Sequence, residues 1–170
     1  MRAPLAPNAA HRALARWQER FADFTLVTQN VDGLHQAAGS RRVVELHGNI
    51  WRARCTACAV TQEQHEESAR ERPPVCPECG EAMRPDVVLF GEMLPAGAFE
   101  FAAGKAGECE LCFVVGTSAV VYPAALLPEI ASAAGAYVVE VNPERTPLSR
   151  LCDEFLNGKA GEILPLFETR

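Results

Sequence analysis

The chain has 170 residues, of which 48% are hydrophobic and 22% charged. This balance provides for one apolar core and excludes a disordered chain. The net charge of -6, from 22 acidic and 16 basic residues, argues against a general nucleic-acid binder. No stretch approaches the roughly 20 apolar residues that cross a bilayer, and the opening residues lack the apolar run of a signal peptide. We therefore expect a cytoplasmic chain that binds no membrane.

The first predicted element is an amphipathic helix. Apolar residues recur at helical spacing between Asn8, a suitable N-cap, and Phe21. The predicted buried stripe consists of Ala10, Leu14, Trp17 and Phe21.

Three short apolar runs are typical of buried strands, namely Phe24–Thr28, Leu111–Val115 and Tyr137–Val141. A helical pattern over Ala124–Ala134 separates the last two, and this order predicts parallel strands joined by a right-handed crossover. Each run ends in small polar residues. Because ligands of open parallel sheets bind beyond the carboxyl ends of the strands, the three ends predict one binding rim on an α/β fold.

Residues 51–84 interrupt this pattern with charge, proline and cysteine. Two C-x-x-C pairs, Cys55 with Cys58 and Cys76 with Cys79, are separated by a spacing typical of a four-thiolate zinc module. Four thiolates leave no open position for water, so the predicted zinc is structural. Cys112 of a third pair lies in an apolar strand, and we interpret Cys112, like Cys152, as a packed thiol.

The rim contains two groups of candidate catalytic residues. Gln29, Asn30 and Asp32 follow the first strand and suit a sugar or a carboxamide, although loops carry such residues for turn formation as well. His47 lies between an apolar residue and a glycine, where a histidine is either a proton carrier or a satisfied structural residue. Composition and spacing leave both alternatives open.

Six ordered motifs together resemble the sirtuins, a family of NAD-dependent protein-lysine deacylases. They are PNAAHRALARW at 7–17, TQNVDGLHQAAGS at 28–40, HG at 47–48 with the cysteine pairs, RPDVVLFGEMLP at 84–95, GTSAVVYPAA at 116–125 and VNPE at 141–144. The resemblance spans about residues 7–168 and is similar to the bacterial and mitochondrial desuccinylase-like branch. It implies a Rossmann-like parallel sheet with helices on both faces.

The resemblance also implies roles for individual residues. His47 would be the general base, acting with Asn30 and Asp32. NAD would be held by Gln29, Asn30, Asp32, Gly116, Thr117, Ser118, Asn142, Glu144, Lys159 and Ala160. An acyl-lysine peptide would add as a strand beside Val88, Phe90, Gly91, Glu92, Val120 and Val121. The products would be free lysine, nicotinamide and O-acyl-ADP-ribose.

The sequence departs from the family pattern because it has no glycine-rich phosphate loop and no strand preceding one. The predicted sheet is therefore incomplete, and we expect a homo-oligomer or a completing partner at the exposed strand edges. The expected organisation is a Rossmann-like domain of residues 1–50 and 85–170 with a zinc module of residues 51–84 inserted. The alternative function is a catalytically impaired, zinc-stabilised protein that binds NAD or a peptide.

Overall fold

The computed structural model describes residues 5–64 and 74–168, and these form two compact units. The first unit takes residues 5–27, 34–44 and 96–168. The second takes residues 28–33, 45–64 and 74–95. The polar stretch after the first strand and the segment around His47 thus belong to the same unit.

The first helix, α1, spans Ala9–Arg20 and begins where the sequence predicts. The Asn8 side-chain oxygen accepts hydrogen bonds from two amides of the first turn, at 2.9 and 3.2 Å. Three of the four predicted stripe residues are buried, namely Ala10, Leu14 and Trp17. The prediction for Phe21 is wrong, because this residue is the C-cap with φ -106° and ψ 122°, and its side chain is 48% exposed. The backbone has left the helical region there, so Phe21 no longer follows the stripe.

Five strands form the two sheets that carry the residues of the predicted binding rim. Strand β1 (Leu26–Thr28) pairs with β2 (Val43–Glu45). Strands β6 (Leu111–Val115), β7 (Tyr137–Asn142) and β8 (Glu154–Asn157) form a parallel sheet in that order. The predicted parallel pairing of β6 and β7 is confirmed. Among the described strands, β6 is an edge strand and β1 has β2 as its one neighbour.

Helices cover the strands of the first unit. They are α2 (Leu34–Ala37), α3 (Ala98–Glu108), α4 (Leu126–Ala133) and α5 (Ala160–Ile163), with 3-10 helices at Pro147–Arg150 and Leu164–Glu168. One core cluster joins Trp17, Leu26, Val141 and Leu164. Of the helices that the structure describes, none combines the length and the apolar character needed to span a membrane.

Strand β3 (Gly48–Cys55) is the centre of the second unit. It lies between β4 (Thr61–Glu63) and β5 (Met83–Val87), and both pairings are antiparallel. The register with β5 passes from Asn49 opposite Asp86 directly to Ala53 opposite Pro85. Residues 50–52 therefore form a bulge in β3, and bulges bend a strand and redirect its side chains.

The third cysteine pair packs in the first unit. Cys109, Cys112 and Cys152 are half-buried against the cluster that contains Val114 and Val138. Burial raises the pKa of Cys112 to about 12 and that of Cys152 to about 11. These thiols stay protonated at neutral pH, as expected for packed side chains.

Candidate active site

The polar segment 28–33 is held against residues 46–51 by hydrogen bonds to its own carbonyl groups. Two of these bonds come from backbone amides: Leu46 donates to the Thr28 carbonyl at 3.0 Å and Ile50 to the Val31 carbonyl at 2.9 Å. Two more come from side chains, namely those of His47 and Trp51. Segment 28–33 is thus fixed by its backbone, and its conformation depends on two aromatic side chains as well as on main-chain pairing.

His47 is half-buried, and its Nδ1 atom lies 3.1 Å from the Gln29 carbonyl oxygen. A carbonyl can accept a hydrogen bond and cannot donate one, so this contact assigns the proton to Nδ1. The Nε2 atom of the neutral ring then carries the lone pair. The arrangement supplies a proton acceptor whose orientation is set by its other nitrogen.

A glycine follows His47 because the neighbouring strand passes too close for any side chain. Gly48 has φ +78°, and a Cβ atom there would lie 2.0 Å from the Asp86 carbonyl oxygen. The amide of Val88, just beyond β5, donates to the His47 carbonyl at 3.0 Å. The backbone of His47 is therefore fixed by β5 while its ring is fixed by segment 28–33.

Charged and amide side chains add a network of hydrogen bonds and ion pairs along β3. Asn49 is buried, and its Nδ2 atom donates to Glu45 Oε1 at 2.5 Å. The Arg52 guanidinium lies 2.8 Å from the same carboxylate and 3.3 Å from that of Asp86. Burial disfavours the charge of Arg52, but the two carboxylates outweigh it and raise the pKa of the guanidinium. The Arg54 guanidinium, 3.7 Å from Asp86, supplies a second positive charge, so two cations face two carboxylates in a network that holds the residues on both sides of His47.

A second group of predicted residues meets at the carboxyl ends of β6, β7 and β8. The Asn142 amide donates to the Thr117 carbonyl at 2.8 Å, and the Gly116 amide donates to the Val141 carbonyl at 3.0 Å. The Gly158 amide reaches the Asn142 carbonyl at 3.2 Å. Asn142 thus links the ends of β6, β7 and β8. The third strand of this sheet is β8, whereas the predicted rim included the run that ends at Thr28, which pairs with β2 in another sheet.

The other residues predicted for this rim lie nearby in the chain and are mostly exposed. Ser118 and Glu144 are exposed loop residues, Lys159 is the exposed N-cap of α5, and Ala160 is its half-buried first residue. Val120 and Val121, predicted to contact a peptide, are 56% and 40% exposed.

Sequence reasoning missed Glu140, which anchors the loop after Asn142. Glu140 is 1% exposed, and its carboxylate accepts hydrogen bonds from the Thr146 hydroxyl at 2.6 Å and from the Ser149 hydroxyl. Thr146 also caps the 3-10 helix at Pro147–Arg150. An acidic residue inside the apolar run VVEV was the signal available, because a carboxylate in such a strand needs buried partners.

The segment predicted to bind a peptide in the second unit exposes apolar side chains. Phe90 and Met93 are almost fully exposed, whereas Val88 is half-buried. Glu92, which is predicted to contact the peptide, accepts hydrogen bonds from the Arg84 guanidinium at 2.8 and 2.9 Å and from the Leu89 amide at 3.0 Å. The Arg84 guanidinium lowers the pKa of the Glu92 carboxyl. Within the chain, Glu92 closes the turn at 89–92.

The four predicted zinc ligands converge in the second unit. Their sulfur atoms all lie within 4.8 Å of one another, and three of the separations are 3.5, 3.6 and 3.6 Å. Zinc–sulfur bonds of about 2.3 Å give sulfur–sulfur edges of about 3.8 Å in a tetrahedron, so the cluster fits one zinc ion. Backbone amides of Cys58 and Ala57 donate to the Cys55 sulfur and lower its pKa to about 6. In Cys58 and Cys79 a backbone hydrogen bond is outweighed by the other thiols, which raise the pKa, so the metal-free cluster shares protons that zinc would displace. The residues that would hold the zinc are Cys55, Cys58, Cys76 and Cys79.

Comparison with known proteins decides the family. The model of the Sir2 family matches residues 1–123. The chain belongs to the Sir2 family. This membership confirms the resemblance to the sirtuins that the six motifs indicate.

Individual relatives agree with the family assignment. An NAD-dependent protein deacylase of Aquifex aeolicus is 49% identical over 154 residues, which are 91% of this chain and 64% of that protein. The crystal structure of a Sir2 homologue in complex with NAD has a TM-score of 0.87 at 45% identity, over 94% of this chain and 62% of the other. A Sir2 protein bound to an acetylated peptide has a TM-score of 0.86 at 36% identity, over 95% of this chain and 69% of the other.

These similarities confirm the Rossmann-like α/β fold that the sequence predicts. The chain spans less than two-thirds of the length of the Aquifex protein.

Proposed function

We propose that this sirtuin chain is an NAD-dependent protein-lysine deacylase that releases nicotinamide and forms O-acyl-ADP-ribose. The observation that carries the proposal is the His47 ring, whose Nδ1 is committed to the Gln29 carbonyl so that Nε2 is the basic nitrogen. The segment that fixes the ring also contains Asn30 and Asp32, whose side chains are of the kind that binds a ribose and a carboxamide. Similarity to deacylases and to a Sir2–NAD complex supports the same reaction.

In the proposed reaction, NAD, an acyl-lysine peptide and one water molecule are consumed. The ribose–nicotinamide bond breaks first, and water then breaks the bond between the acyl carbon and the lysine nitrogen, so that the acyl group stays on ADP-ribose and the lysine leaves as a free amine. The acyl oxygen attacks the ribose carbon that bears nicotinamide, and nicotinamide leaves. Nε2 of His47 accepts a ribose hydroxyl proton, and segment 28–33 binds the nicotinamide side. Loops at the ends of β6, β7 and β8 bind the rest of NAD through Gly116, Thr117, Ser118, Asn142, Glu144, Lys159 and Ala160.

The peptide is proposed to add as a strand along residues 88–92 and 118–121. A segment with exposed apolar side chains suits such strand addition, in which main-chain hydrogen bonds supply affinity with little demand on the peptide sequence. Similarity to a Sir2 protein bound to an acetylated peptide supports this substrate class.

The proposed zinc is structural and supports β3, which ends at the ligand Cys55. All four ligands are cysteines, and a tetrathiolate site has no position for a reacting group. We also propose a cytoplasmic location, because seven unpaired thiols, four of them in a metal-binding cluster, suit a reducing compartment.

The test is nicotinamide release from NAD and an acetyl-lysine peptide by the purified chain. Replacing His47 by Ala removes both the base and the hydrogen bond to Gln29, so its loss of activity alone would be ambiguous. His47→Asn is the matched variant, since its side-chain amide can still donate to the Gln29 carbonyl but accepts no proton at neutral pH. We expect both variants to release nicotinamide at least about a hundredfold more slowly, with His47→Asn retaining the wild-type melting temperature. Activity of His47→Asn near the wild-type level would contradict the proposal.

The alternative function is an impaired protein that binds NAD or a peptide and is completed by a further strand. The edge position of β6 favours it, because an unpaired strand edge is a template for pairing. We propose a second copy of this chain as the source of that strand. Sedimentation at two concentrations and amide exchange along β6 test this: dimers with protected β6 amides support it, and monomers with rapidly exchanging amides contradict it.

A further inference from the structure

The turn at Asp32 and Gly33 is fixed by one side chain from β3. The Trp51 indole nitrogen donates to the Asp32 carbonyl at 2.7 Å. A Cβ atom on Gly33, which has φ +71°, would lie 2.7 Å from Trp51 Cδ1 and 3.1 Å from its ring nitrogen. The indole therefore both bonds to this turn and packs so closely against it that only glycine fits.

The bulge in β3 is what makes this contact available. The backbone of residues 50–52 has no pairing partners on β5, whose register resumes at Ala53. The backbone amide of Trp51 donates instead to the Asn49 side-chain oxygen at 2.9 Å, while the other end of that amide group bonds to Glu45. Asn49, which is buried and bonded to Glu45, therefore fixes the backbone of Trp51 and with it the direction of the indole ring.

We propose that Trp51 is a positioning residue for the proposed reaction, setting the backbone of Asp32 and Gly33 so that Asp32 binds the nicotinamide side of NAD. The inference rests on the proposed function, because it takes its ligand from there. Trp51 acts through the Asp32 carbonyl and is not itself a catalytic residue.

The effect on nicotinamide binding is expected to come from the indole N–H group of Trp51 and not from the volume of its ring. Phenylalanine fills most of the volume of an indole but has no N–H group, so Trp51→Phe leaves the Asp32 carbonyl without this partner. We expect the turn at 32–33 to become mobile while the rest of β3, including Cys55, keeps its pairing with β5.

The experiment compares nicotinamide binding by wild type, Trp51→Phe and Gly33→Ala, each measured by calorimetry and well below the melting temperature. We expect about tenfold weaker binding in Trp51→Phe, the effect of one lost hydrogen bond, with unchanged zinc content. A merely structural role would lower the melting temperature and leave the affinity of the folded chain unchanged. Gly33→Ala forces the turn away from the indole and should weaken binding at least as much. Gly104→Ala, in α3 with no atom near its added methyl group, is the matched control and should bind like wild type.

A second measurement does not require either variant to fold. Trp17 and Trp51 are the two tryptophans of the chain, so the wild type has two indole N–H resonances. Nicotinamide should shift the Trp51 resonance and leave that of Trp17 in place, because Trp17 lies in the core of the first unit.

The outcomes separate the two proposals. Wild type that binds nicotinamide with no response at the Trp51 indole, or Trp51→Phe that binds as tightly as wild type, overturns the positioning role alone. Wild type that binds no nicotinamide also overturns the positioning role, and the assay of nicotinamide release then decides the proposed function separately.

Discussion

His47 and Gln29 are joined by a hydrogen bond from the imidazole Nδ1 to the backbone carbonyl, at 3.1 Å. Because the partner is a carbonyl of the polar segment, the ring that serves as the proposed base also fixes the backbone of the proposed ribose-binding residues. Base and binding segment therefore cannot be varied independently, and a histidine variant must be chosen to keep the hydrogen bond.

Removal of the metal should unfold the core of the second unit. The cluster that contains Ala53 and Met83 also contains two of the thiols, Cys55 and Cys76, and it has few other apolar members. Cys76→Ser should lower the free energy of unfolding by about 3 kcal/mol or more, as the loss of a structural metal does. Urea denaturation and zinc content measure the effect.

Cys109→Ser is the control for this experiment, because Cys109 lies outside the four-sulfur cluster. It should keep one zinc per chain. Cys76→Ser with full zinc content and unchanged unfolding would contradict the ligand assignment.

Substitution of Gly48 should be among the most damaging single changes to the chain. Its Cβ would overlap the Asp86 carbonyl at 2.0 Å, and its φ of +78° disfavours any side chain. We expect Gly48→Ala to lower the free energy of unfolding by about 3 kcal/mol or more. The matched change Gly104→Ala, in a helix and with no neighbouring atom within 4 Å of the new methyl, should raise it by about 0.5–1 kcal/mol. Equal effects of the two substitutions in thermal denaturation would refute the close approach.

The buried carboxylate of Glu140 should be energetically coupled to the Thr146 and Ser149 hydroxyl groups, from which it accepts hydrogen bonds. Thr146→Val keeps the side-chain shape, but it removes one donor and leaves the carboxylate with Ser149. We expect a loss of about 1–3 kcal/mol in the free energy of unfolding. When Glu140 has been replaced by Leu, the substitution Thr146→Val should lower the free energy of unfolding much less than it does in wild type. A double-mutant cycle by urea denaturation measures this coupling energy. Additive effects of the two substitutions would show that the pair does not interact.

The Arg84–Glu92 pair should be visible in a titration. Arg84 lowers the pKa of Glu92, so Arg84→Gln should raise that pKa toward its ordinary value, as followed by carbon NMR of the carboxyl group. A carboxyl with a lower pKa in the folded chain stabilises the fold above the unfolded pKa, and this contribution is lost as the pH falls through the folded pKa. The variant should therefore be less stable than wild type at neutral pH, and the difference in the free energy of unfolding should disappear in acid. A Glu92 pKa that does not move would show that the pair is absent in solution.

The sequence predicted the elements whose signals are local. The cap at Asn8 and the spacing of Leu14 and Trp17 determine α1, and the spacing of the cysteines determines the metal cluster. Phe21 fits the same periodicity, but periodicity alone does not tell where the backbone leaves the helix.

The contacts that shape the site depend on the docking of distant segments. Trp51 bonds to a backbone carbonyl 19 residues away, and nothing in the identity of Asp32 indicates that its carbonyl is a partner. The bulge at residues 50–52 likewise arises from pairing with a strand more than 30 residues later. Glu140 is the intermediate case, since its position in an apolar run indicates buried partners without identifying Thr146 and Ser149.

The irregular stretch at residues 50–52 makes chain length, in addition to residue identity, a sensitive property of β3. Deleting Ile50 would leave the four thiols and the start of the strand unchanged in sequence, yet it should turn the Trp51 indole away from the Asp32 carbonyl and the Arg52 guanidinium away from Glu45. Surface loops often tolerate deletions, but here the loss of a single residue should be as harmful as the loss of His47.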